Sequence, residues 1–124
     1  MTSPNRKALI IEDDRKQAKI FSQALTLAGF EAQIVRNGAR AAALLQTETP
    51  DLILLDLHLP KVSGDKLLAQ IRSSGNLGET KVIIATANPE KAYVLSEDSD
   101  MVLIKPISFN LLREVAARFF QEEA

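Results

Sequence analysis

The chain has 124 residues, of which 46% are hydrophobic and 25% are charged, and its 15 Lys and Arg against 16 Asp and Glu give a net charge of −1. This length and composition are typical of one compact globular domain and exclude a disordered chain or a small disulfide-stapled one. The balanced charge argues against a domain that binds nucleic acid by neutralising phosphates. The sequence contains no cysteine, which excludes thiol catalysis and thiolate metal sites.

The amino-terminal sequence MTSPNRKALIIEDD has no long apolar run after its basic residues, so it does not resemble a secretory signal. No stretch approaches the roughly 20 apolar residues that span a bilayer. We therefore expect a single domain over residues 1–124 that is cytoplasmic and does not bind a membrane.

Short apolar runs alternate with longer amphipathic stretches along the chain. The apolar runs predict strands at residues 8–11, 31–35, 52–55, 82–85 and 101–104. The stretches between them predict helices at residues 15–28, 38–46 and 64–73, then one that starts at Asn88-Pro89 and one capped by Ser108. Asp14 and Gln17 have the spacing of a capping box, and Gly29 suits the end of the first helix. In the last helix we expect a buried stripe of Leu111, Leu112, Val115 and Phe119.

Five repeats of strand then helix, with strands that are apolar throughout, indicate a parallel sheet with helices on both faces. Right-handed crossovers allow a closed barrel or an open sheet, and five strands are too few for an eight-fold barrel. We therefore predict an α/β fold with an open, doubly wound, five-stranded parallel sheet of order 2-1-3-4-5.

Polar residues follow four of the predicted strands, and in open parallel sheets ligands bind beyond these carboxyl ends, where strand order reverses. These residues are Glu12, Asp13 and Asp14 after the first strand, Asp56 after the third, Thr86 after the fourth and Lys105 after the fifth. Crowded carboxylates repel one another unless a hard cation such as Mg²⁺ lies between them. A carboxylate nucleophile, a cation, a hydroxyl and an ammonium group together predict a phosphoryl site, with Asp56 as the acceptor.

The same residues carry a family resemblance that covers essentially the whole chain. The sequences IIEDD at 10–14, LLDLHLP at 54–60, IATA at 84–87 and KP at 105–106 resemble the receiver domain of two-component response regulators, of which the chemotaxis regulators are examples. The resemblance implies a flavodoxin-like fold and a magnesium-dependent phosphorelay switch.

Carried over by position, the resemblance assigns a role to six residues. These are Asp56 as the phospho-acceptor, Asp13 as a direct metal ligand, Glu12 as the acid that holds metal-bound water, His58 as a ligand through its backbone carbonyl, Thr86 as the switch hydroxyl and Lys105 as the phosphate-binding lysine. Asp56 is also a metal ligand in this assignment. The Lys105-Pro106 junction resembles the family's cis peptide bond. The His58 side chain is expected to be exposed.

Two features depart from the family pattern. Val102 stands three residues before the lysine, where the family usually has a Tyr or Phe whose ring follows the threonine. The segment between Thr86 and Lys105 is shorter than usual by about 4 residues, roughly one helical turn. Residues 96–100 are polar, so we predict a short or frayed fourth helix, with signalling through ordering of the loop near Thr86.

The resemblance implies a signalling switch rather than an enzyme, since the domain would catalyse only its own phosphorylation and dephosphorylation. Its phosphodonor would be a sensor histidine kinase or a phosphotransfer protein, and its target a protein bound at the face of helix 4, strand 5 and helix 5. We expect no nucleic acid bound by this domain, and a homodimer stays open.

Three other functions remain as alternatives. A pseudo-receiver would act only as a protein-interaction module, and Val102 keeps this alternative open. A magnesium-dependent aspartyl phosphatase generally needs a second acid two residues after the nucleophile, where this chain has His58. A flavin site is weaker still, because the acidic turn at residues 12–14 would repel a phosphate.

Overall fold

The computed structural model of the protein describes residues 6–120, and in this range five parallel strands form one sheet with helices on both faces. The strands are β1 (Arg6–Ile11), β2 (Phe30–Val35), β3 (Leu52–Asp56), β4 (Lys81–Thr86) and β5 (Met101–Ile104). The helices are α1 (Arg15–Leu27), α2 (Gly38–Leu44), α3 (Gly64–Ser73), α4 (Pro89–Leu95) and α5 (Phe109–Phe119). The predicted domain also includes residues 1–5 and 121–124, which lie outside the described residues.

The sheet has the order β2-β1-β3-β4-β5, which confirms the predicted fold class. All neighbouring strands are parallel. Their register pairs Ile11 with Leu55, Asp56 with Ala85 and Thr86 with Ile104. The carboxyl ends of β1, β3, β4 and β5 therefore meet at one edge, and strand order reverses between β1 and β3.

The core has two apolar layers, one on each face of the sheet, because successive residues of a strand point to opposite faces. In β3, Ile53 and Leu55 lie in one layer, whereas Leu52 and Leu54 lie in the other. All four are at most 1% exposed. This burial on both faces explains why the central strand β3 is apolar up to Asp56, whereas the edge strand β2 carries the exposed Glu31 and Gln33.

The predicted caps of α1, α4 and α5 form. At α1, Asp14 Oδ1 accepts a hydrogen bond of 2.9 Å from the Gln17 amide. The other half of the capping box is supplied by a different residue, because the Asp14 amide donates to Glu12 Oε2 at 3.2 Å. The first turn of α1 therefore holds the Glu12 carboxylate at the end of β1.

The prediction of a four-residue buried stripe in α5 is wrong in part. Leu112 is fully buried, together with Ala116, whereas Leu111 is 44% exposed. Adjacent residues on a helix lie about 100° apart, so the turn that presents Leu112 to the sheet directs Leu111 toward solvent. Val115 and Phe119 are half-buried beside the core.

The fourth helix is short, as predicted, with 7 residues followed by a 3-10 turn over Ser96–Asp98. The chain after this turn is tied to α3 and β4. Arg72 Nε donates to the Asp98 carbonyl at 2.6 Å, and Arg72 Nη2 lies 3.1 Å from Asp100 Oδ2. The same Asp100 oxygen accepts the Val82 amide at 2.8 Å. Polar contacts therefore fix a segment that is too polar to continue as a helix.

Within the described range, each helix is too short or too polar to cross a membrane.

Candidate functional site

Asp56 is the last residue of β3, and its carboxylate is 2% exposed in the cleft at the switch point. Its Oδ1 accepts a hydrogen bond of 3.1 Å from the His58 amide, in the turn that follows the strand. The same oxygen lies 3.3 Å from Lys105 Nζ. A buried carboxylate needs such partners, since an ion removed from water without them is costly.

Two further acids reach this carboxylate from the end of β1. Glu12 is 1% exposed and Asp13 is exposed. Carboxylate oxygens of Glu12, Asp13 and Asp56 all lie within 4.8 Å of one another. Three oxygen donors at this spacing fit a hard divalent cation such as Mg²⁺, which binds carboxylates directly or through its water. The predicted role of the His58 carbonyl as a further ligand stays a prediction.

Asp14, the remaining acid of the IIEDD sequence, has a separate structural role. It caps α1 rather than joining the three acids that approach one another. The run of three consecutive acids thus divides into two residues at the pocket and one at the helix.

Lys105 brings a cation to both Asp56 and Glu12. Its Nζ lies 3.2 Å from Glu12 Oε1 and 3.3 Å from Asp56 Oδ1. Burial alone would lower the pKa of the Lys105 ammonium, but the neighbouring Asp56 and Glu12 carboxylates outweigh burial and raise it above its ordinary value. Lys105 therefore stays charged. The Lys105-Pro106 peptide bond is cis, as predicted.

Glu12 has an unusual affinity for a proton. Burial, followed by a hydrogen bond and repulsion from Asp56, raises the pKa of the Glu12 carboxyl to about 7, against an ordinary value of 4.5. The Asp14 amide and Lys105 oppose this rise without cancelling it. The acid pocket therefore holds a proton near neutral pH when no cation is bound.

Thr86 ends β4 and is fully buried. Its Oγ1 accepts a hydrogen bond of 3.0 Å from the Asn88 amide. The His58 side chain is exposed, as predicted, yet its Nε2 lies 3.5 Å from the same Thr86 oxygen. This contact was not predictable, because the direction of a side chain in the turn after β3 has no signature in the sequence.

The turn between β3 and α3 also approaches the site closely. Lys61 has φ of 71°, and the Val62 amide donates to the Pro60 carbonyl at 2.8 Å. This tight reversal brings α3 against the end of β3. A Cβ atom on Gly64 would lie 2.6 Å from the Leu57 Cα and 2.9 Å from the Asp56 carbonyl oxygen. Only glycine fits there without displacing the backbone next to Asp56.

Val102 pairs with Ile84 in the sheet and is half-buried against the core. Leu95 of α4 packs against the same core layer. Position 102 therefore holds a small aliphatic side chain where the family usually has an aromatic ring. Val102 packs against the same core layer as Leu95.

The arrangement thus brings together Glu12, Asp13, Asp56, Thr86 and Lys105, all predicted from the polar residues at the strand ends. Thr86 is linked to this group through the His58 turn. A buried carboxylate that contacts an ammonium and lies beside acids able to hold a cation can accept an anionic group, since both positive charges offset the added charge.

Comparison with known proteins agrees with this geometry. Residues 8–117 match the family model described as the response regulator receiver domain. The chain is 30% identical over 106 residues to the polar-differentiation response regulator DivK of Brucella anthropi, covering 83% of this chain and 86% of DivK. It is 35% identical over 104 residues to the probable transcriptional regulatory protein SilR of Salmonella typhimurium, covering 83% of this chain but 46% of SilR.

A solved structure adds a comparison in three dimensions. The structure described as the phosphorylated cyanobacterial phytochrome response regulator RcpA matches with a TM-score of 0.78 and 26% identity, over 94% of this chain and 91% of RcpA. The chain spans less than half the length of some curated relatives, SilR and the sensor histidine kinase TmoS of Ectopseudomonas mendocina among them.

Receiver domains are signalling switches of two-component systems, generally not enzymes, and they bind Mg²⁺ at an acidic pocket of the kind that Glu12, Asp13 and Asp56 form. The match over most of the chain, the flavodoxin-like strand order and the grouped acids agree with one another. The chain belongs to the response regulator receiver domain family.

Proposed function

We propose that this domain is a phospho-accepting switch in which Asp56 takes a phosphoryl group from a sensor histidine kinase or a phosphotransfer protein. The observation that carries the proposal is the buried Asp56 carboxylate, which has Lys105 Nζ at 3.3 Å and oxygens of Glu12 and Asp13 within 4.8 Å. Such a carboxylate is desolvated, Lys105 can stabilise an added anion, and a cation held by the three acids would do the same.

Each residue has a distinct part in the transfer. An Asp56 carboxylate oxygen forms a bond to phosphorus while the bond from phosphorus to the donor's histidine nitrogen breaks, and that nitrogen keeps the electron pair. Lys105 offsets the negative charge that arrives, and the Thr86 hydroxyl donates to an oxygen of the transferred group. Water then attacks phosphorus, the bond from phosphorus to the Asp56 oxygen breaks, and inorganic phosphate leaves as the Asp56 carboxylate is restored.

The metal would be held by Asp13 and Asp56, by Glu12 through bound water, and by the His58 carbonyl. When bound, Mg²⁺ neutralises charge on the transferred oxygens. The positive charge of the metal would replace the proton on Glu12 and offset the negative charge of the three acids and of the phosphoryl group.

The donor has an apolar surface next to the site on which to bind. A cleft of about 460 Å³ beside Lys105 is lined by Ile20, Phe21, Pro106 and Ile107. A protein that delivers a phosphoryl group to a buried carboxylate must come into contact with the surface around it, and this cleft offers mainly apolar area.

The target protein would bind the face of α4, β5 and α5. This face carries Tyr93 at 85% exposure and Val94 at 71%, with Met101, Ile104 and Leu111 also exposed. Exposed large apolar side chains of this number are typical of protein contact surfaces. The same face would serve in a homodimer. We further propose that the domain acts in the cytoplasm, binds no nucleic acid and catalyses only its own phosphorylation and dephosphorylation.

A pseudo-receiver that only binds proteins is the second candidate. Val102 favours it, because the ring that usually reports the state of the site is missing. The complete set of acids, hydroxyl and lysine favours the switch, since a domain without phosphoryl chemistry has no need of a half-buried Lys105 in contact with two buried carboxylates.

The test is incubation with Mg²⁺ and acetyl phosphate, followed by the mass of the intact protein. We expect a labile phosphoryl adduct on the wild type and none on Asp56→Asn. Asp51→Asn is the matched control. Asp51 directly precedes β3, at the end of the strand far from Asp56, and it accepts a hydrogen bond from the Lys7 amide that asparagine can also accept. A folded wild type that binds Mg²⁺ but forms no adduct would favour the pseudo-receiver.

A further inference from the structure

The Thr86 hydroxyl makes two polar contacts outside the acid pocket. It accepts the Asn88 amide proton at 3.0 Å, and it lies 3.5 Å from His58 Nε2. His58 is held in place by its own amide, which donates to Asp56 Oδ1 at 3.1 Å. One short turn therefore contacts the acceptor carboxylate through its backbone and the threonine hydroxyl through its ring.

The position of the hydroxyl proton follows from these contacts. Thr86 Oγ1 already accepts from Asn88, so its own proton needs an acceptor, and a buried hydroxyl without one is destabilising. Among residues 6–120, His58 Nε2 is the side-chain acceptor that lies within hydrogen-bond distance of Thr86 Oγ1. A neutral imidazole that carries its proton on Nδ1 presents Nε2 as an acceptor.

In the proposed switch, the Thr86 hydroxyl proton is needed at the phosphoryl group on Asp56. To bond an oxygen of a phosphoryl group on Asp56, the Thr86 hydroxyl must point away from His58, because a hydroxyl has a single proton. We propose that His58 is a positioning residue that holds the Thr86 hydroxyl in the unphosphorylated protein and releases it to the phosphoryl group. This inference rests on the proposed function of Asp56 as phospho-acceptor.

Asn88 connects the Thr86 hydroxyl to the amino end of α4 at the protein surface. The Asn88 amide is bonded to Thr86 Oγ1, and Asn88 Oδ1 accepts the amides of Glu90 at 2.9 Å and Lys91 at 3.3 Å. A movement of Oγ1 toward the phosphoryl group would therefore displace Asn88, the residue that caps α4. With Val102 in place of a ring, the signal passes from His58 and Thr86 through Asn88 to the amino end of α4.

The first test is a double-mutant cycle on the affinity for beryllofluoride, a phosphoryl analogue, in the presence of Mg²⁺. His58→Ala removes the competing acceptor, so we expect beryllofluoride to bind about threefold more tightly, the size expected for one long neutral hydrogen bond. In a Thr86→Val background the same substitution should change the affinity by a factor of about one. His58→Gln should restore the wild-type affinity, because its amide oxygen can accept from the hydroxyl.

The second test reads the imidazole directly. His58 is the only histidine in the sequence, so its ring nitrogen signals in NMR spectra are unambiguous. We expect the Nε2 signal to move when beryllofluoride binds to the wild type, and to move in the same direction in unliganded Thr86→Val. The amide signals of Asn88, Glu90 and Lys91 should shift on binding in the wild type and shift less in Thr86→Val.

Two results would overturn the inference. One is equal tightening by His58→Ala in both backgrounds, which would mean that His58 only obstructs the site. The other is an Nε2 signal that is the same in unliganded wild type and Thr86→Val. Failure of the wild type to bind beryllofluoride would refute the proposed function and the release step, while the unliganded comparison would still decide whether His58 holds the hydroxyl.

Discussion

Magnesium binding should release a proton from Glu12. The metal pocket requires ionised carboxylates, whereas the pKa of Glu12 in the metal-free protein is raised to about 7. Burial and the adjacent Asp56 cause this rise, and a bound cation offsets both effects by supplying positive charge. Raising the pH from 6 to 8 should therefore strengthen magnesium binding.

The size of the effect follows from the two pKa values. A carboxyl with a pKa near 7 is about 75% protonated at pH 6.5, so binding at this pH should release about 0.75 proton, against about 0.01 for an ordinary glutamate. The dissociation constant for Mg²⁺ should be about tenfold larger at pH 6 than at pH 8. The rise in pKa from 4.5 corresponds to about 3 kcal/mol that favours the protonated form.

The raised pKa of Glu12 also determines how the stability of the folded protein changes with pH. Because the pKa of Glu12 is higher in the folded than in the unfolded chain, the contribution of this group is complete below pH 4.5 and is lost as the pH rises through about 7. In the presence of a chelator, the midpoint of thermal unfolding should fall across this window, and excess Mg²⁺ should reduce the fall.

Isothermal titration calorimetry measures the released proton, by comparing the binding heat at pH 6.5 in two buffers with different ionisation enthalpies. Glu12→Gln should abolish the release and flatten the pH dependence of unfolding. Asp14→Asn is the matched control, since Asp14 caps α1 and leaves its backbone amide bonded to Glu12. Proton release near zero in the wild type, or unchanged release in Glu12→Gln, would refute the assignment of the raised pKa to Glu12.

Three further substitutions test other parts of the site and its support. Gly64→Ala places a Cβ 2.6 Å from the Leu57 Cα, so it should lower the free energy of unfolding by about 1–3 kcal/mol in urea denaturation, and an unchanged midpoint would contradict the close approach. Asp100→Ala removes the acceptor of Arg72 and of the Val82 amide, so it should lower the free energy of unfolding by about 1–2 kcal/mol. Amide exchange at residues 96–100 should become faster, and Asp100→Asn should retain part of the stability. Lys105→Met removes a charge that lowers the pKa of Glu12, so proton release on magnesium binding at pH 7 should increase, and a decrease would refute this influence.

The fold was predictable because each level of the sequence agrees with the next. A strand such as β3, buried on both faces, is apolar up to its last residue, so its extent and its end at Asp56 are visible in the sequence. The site followed from the same rule, because the polar residues at such ends converge at the switch point. Strand boundaries were less certain where a polar residue continues the ladder, as Lys81 does at the start of β4.

The contacts between side chains were not predictable in this way. Nothing in the letters of LLDLHLP indicates that the His58 ring turns toward Thr86, because this direction depends on the reversal at Lys61 and on the neighbouring strand. The sequence also did not indicate that Glu12, rather than Gln17, accepts the Asp14 amide. This hydrogen bond joins a residue of the acid pocket to the end of a helix. Leu111 also shows that a helical stripe read from sequence has an uncertain edge.

The ion pair that anchors the chain after α4 has a mechanical consequence. Arg72 contacts Asp98 and Asp100 and anchors the carboxyl end of the α4 segment, whereas in the proposed release step the amino end, capped by Asn88, would move with Thr86. Seven residues of helix form a lever about 10 Å long. A displacement of about 1 Å at the Asn88 end would tilt so short a lever by about 6°, more than it would tilt a helix one turn longer. The short α4 thus increases the angular response of Tyr93 and Val94 to a small movement at the proposed phosphorylation site.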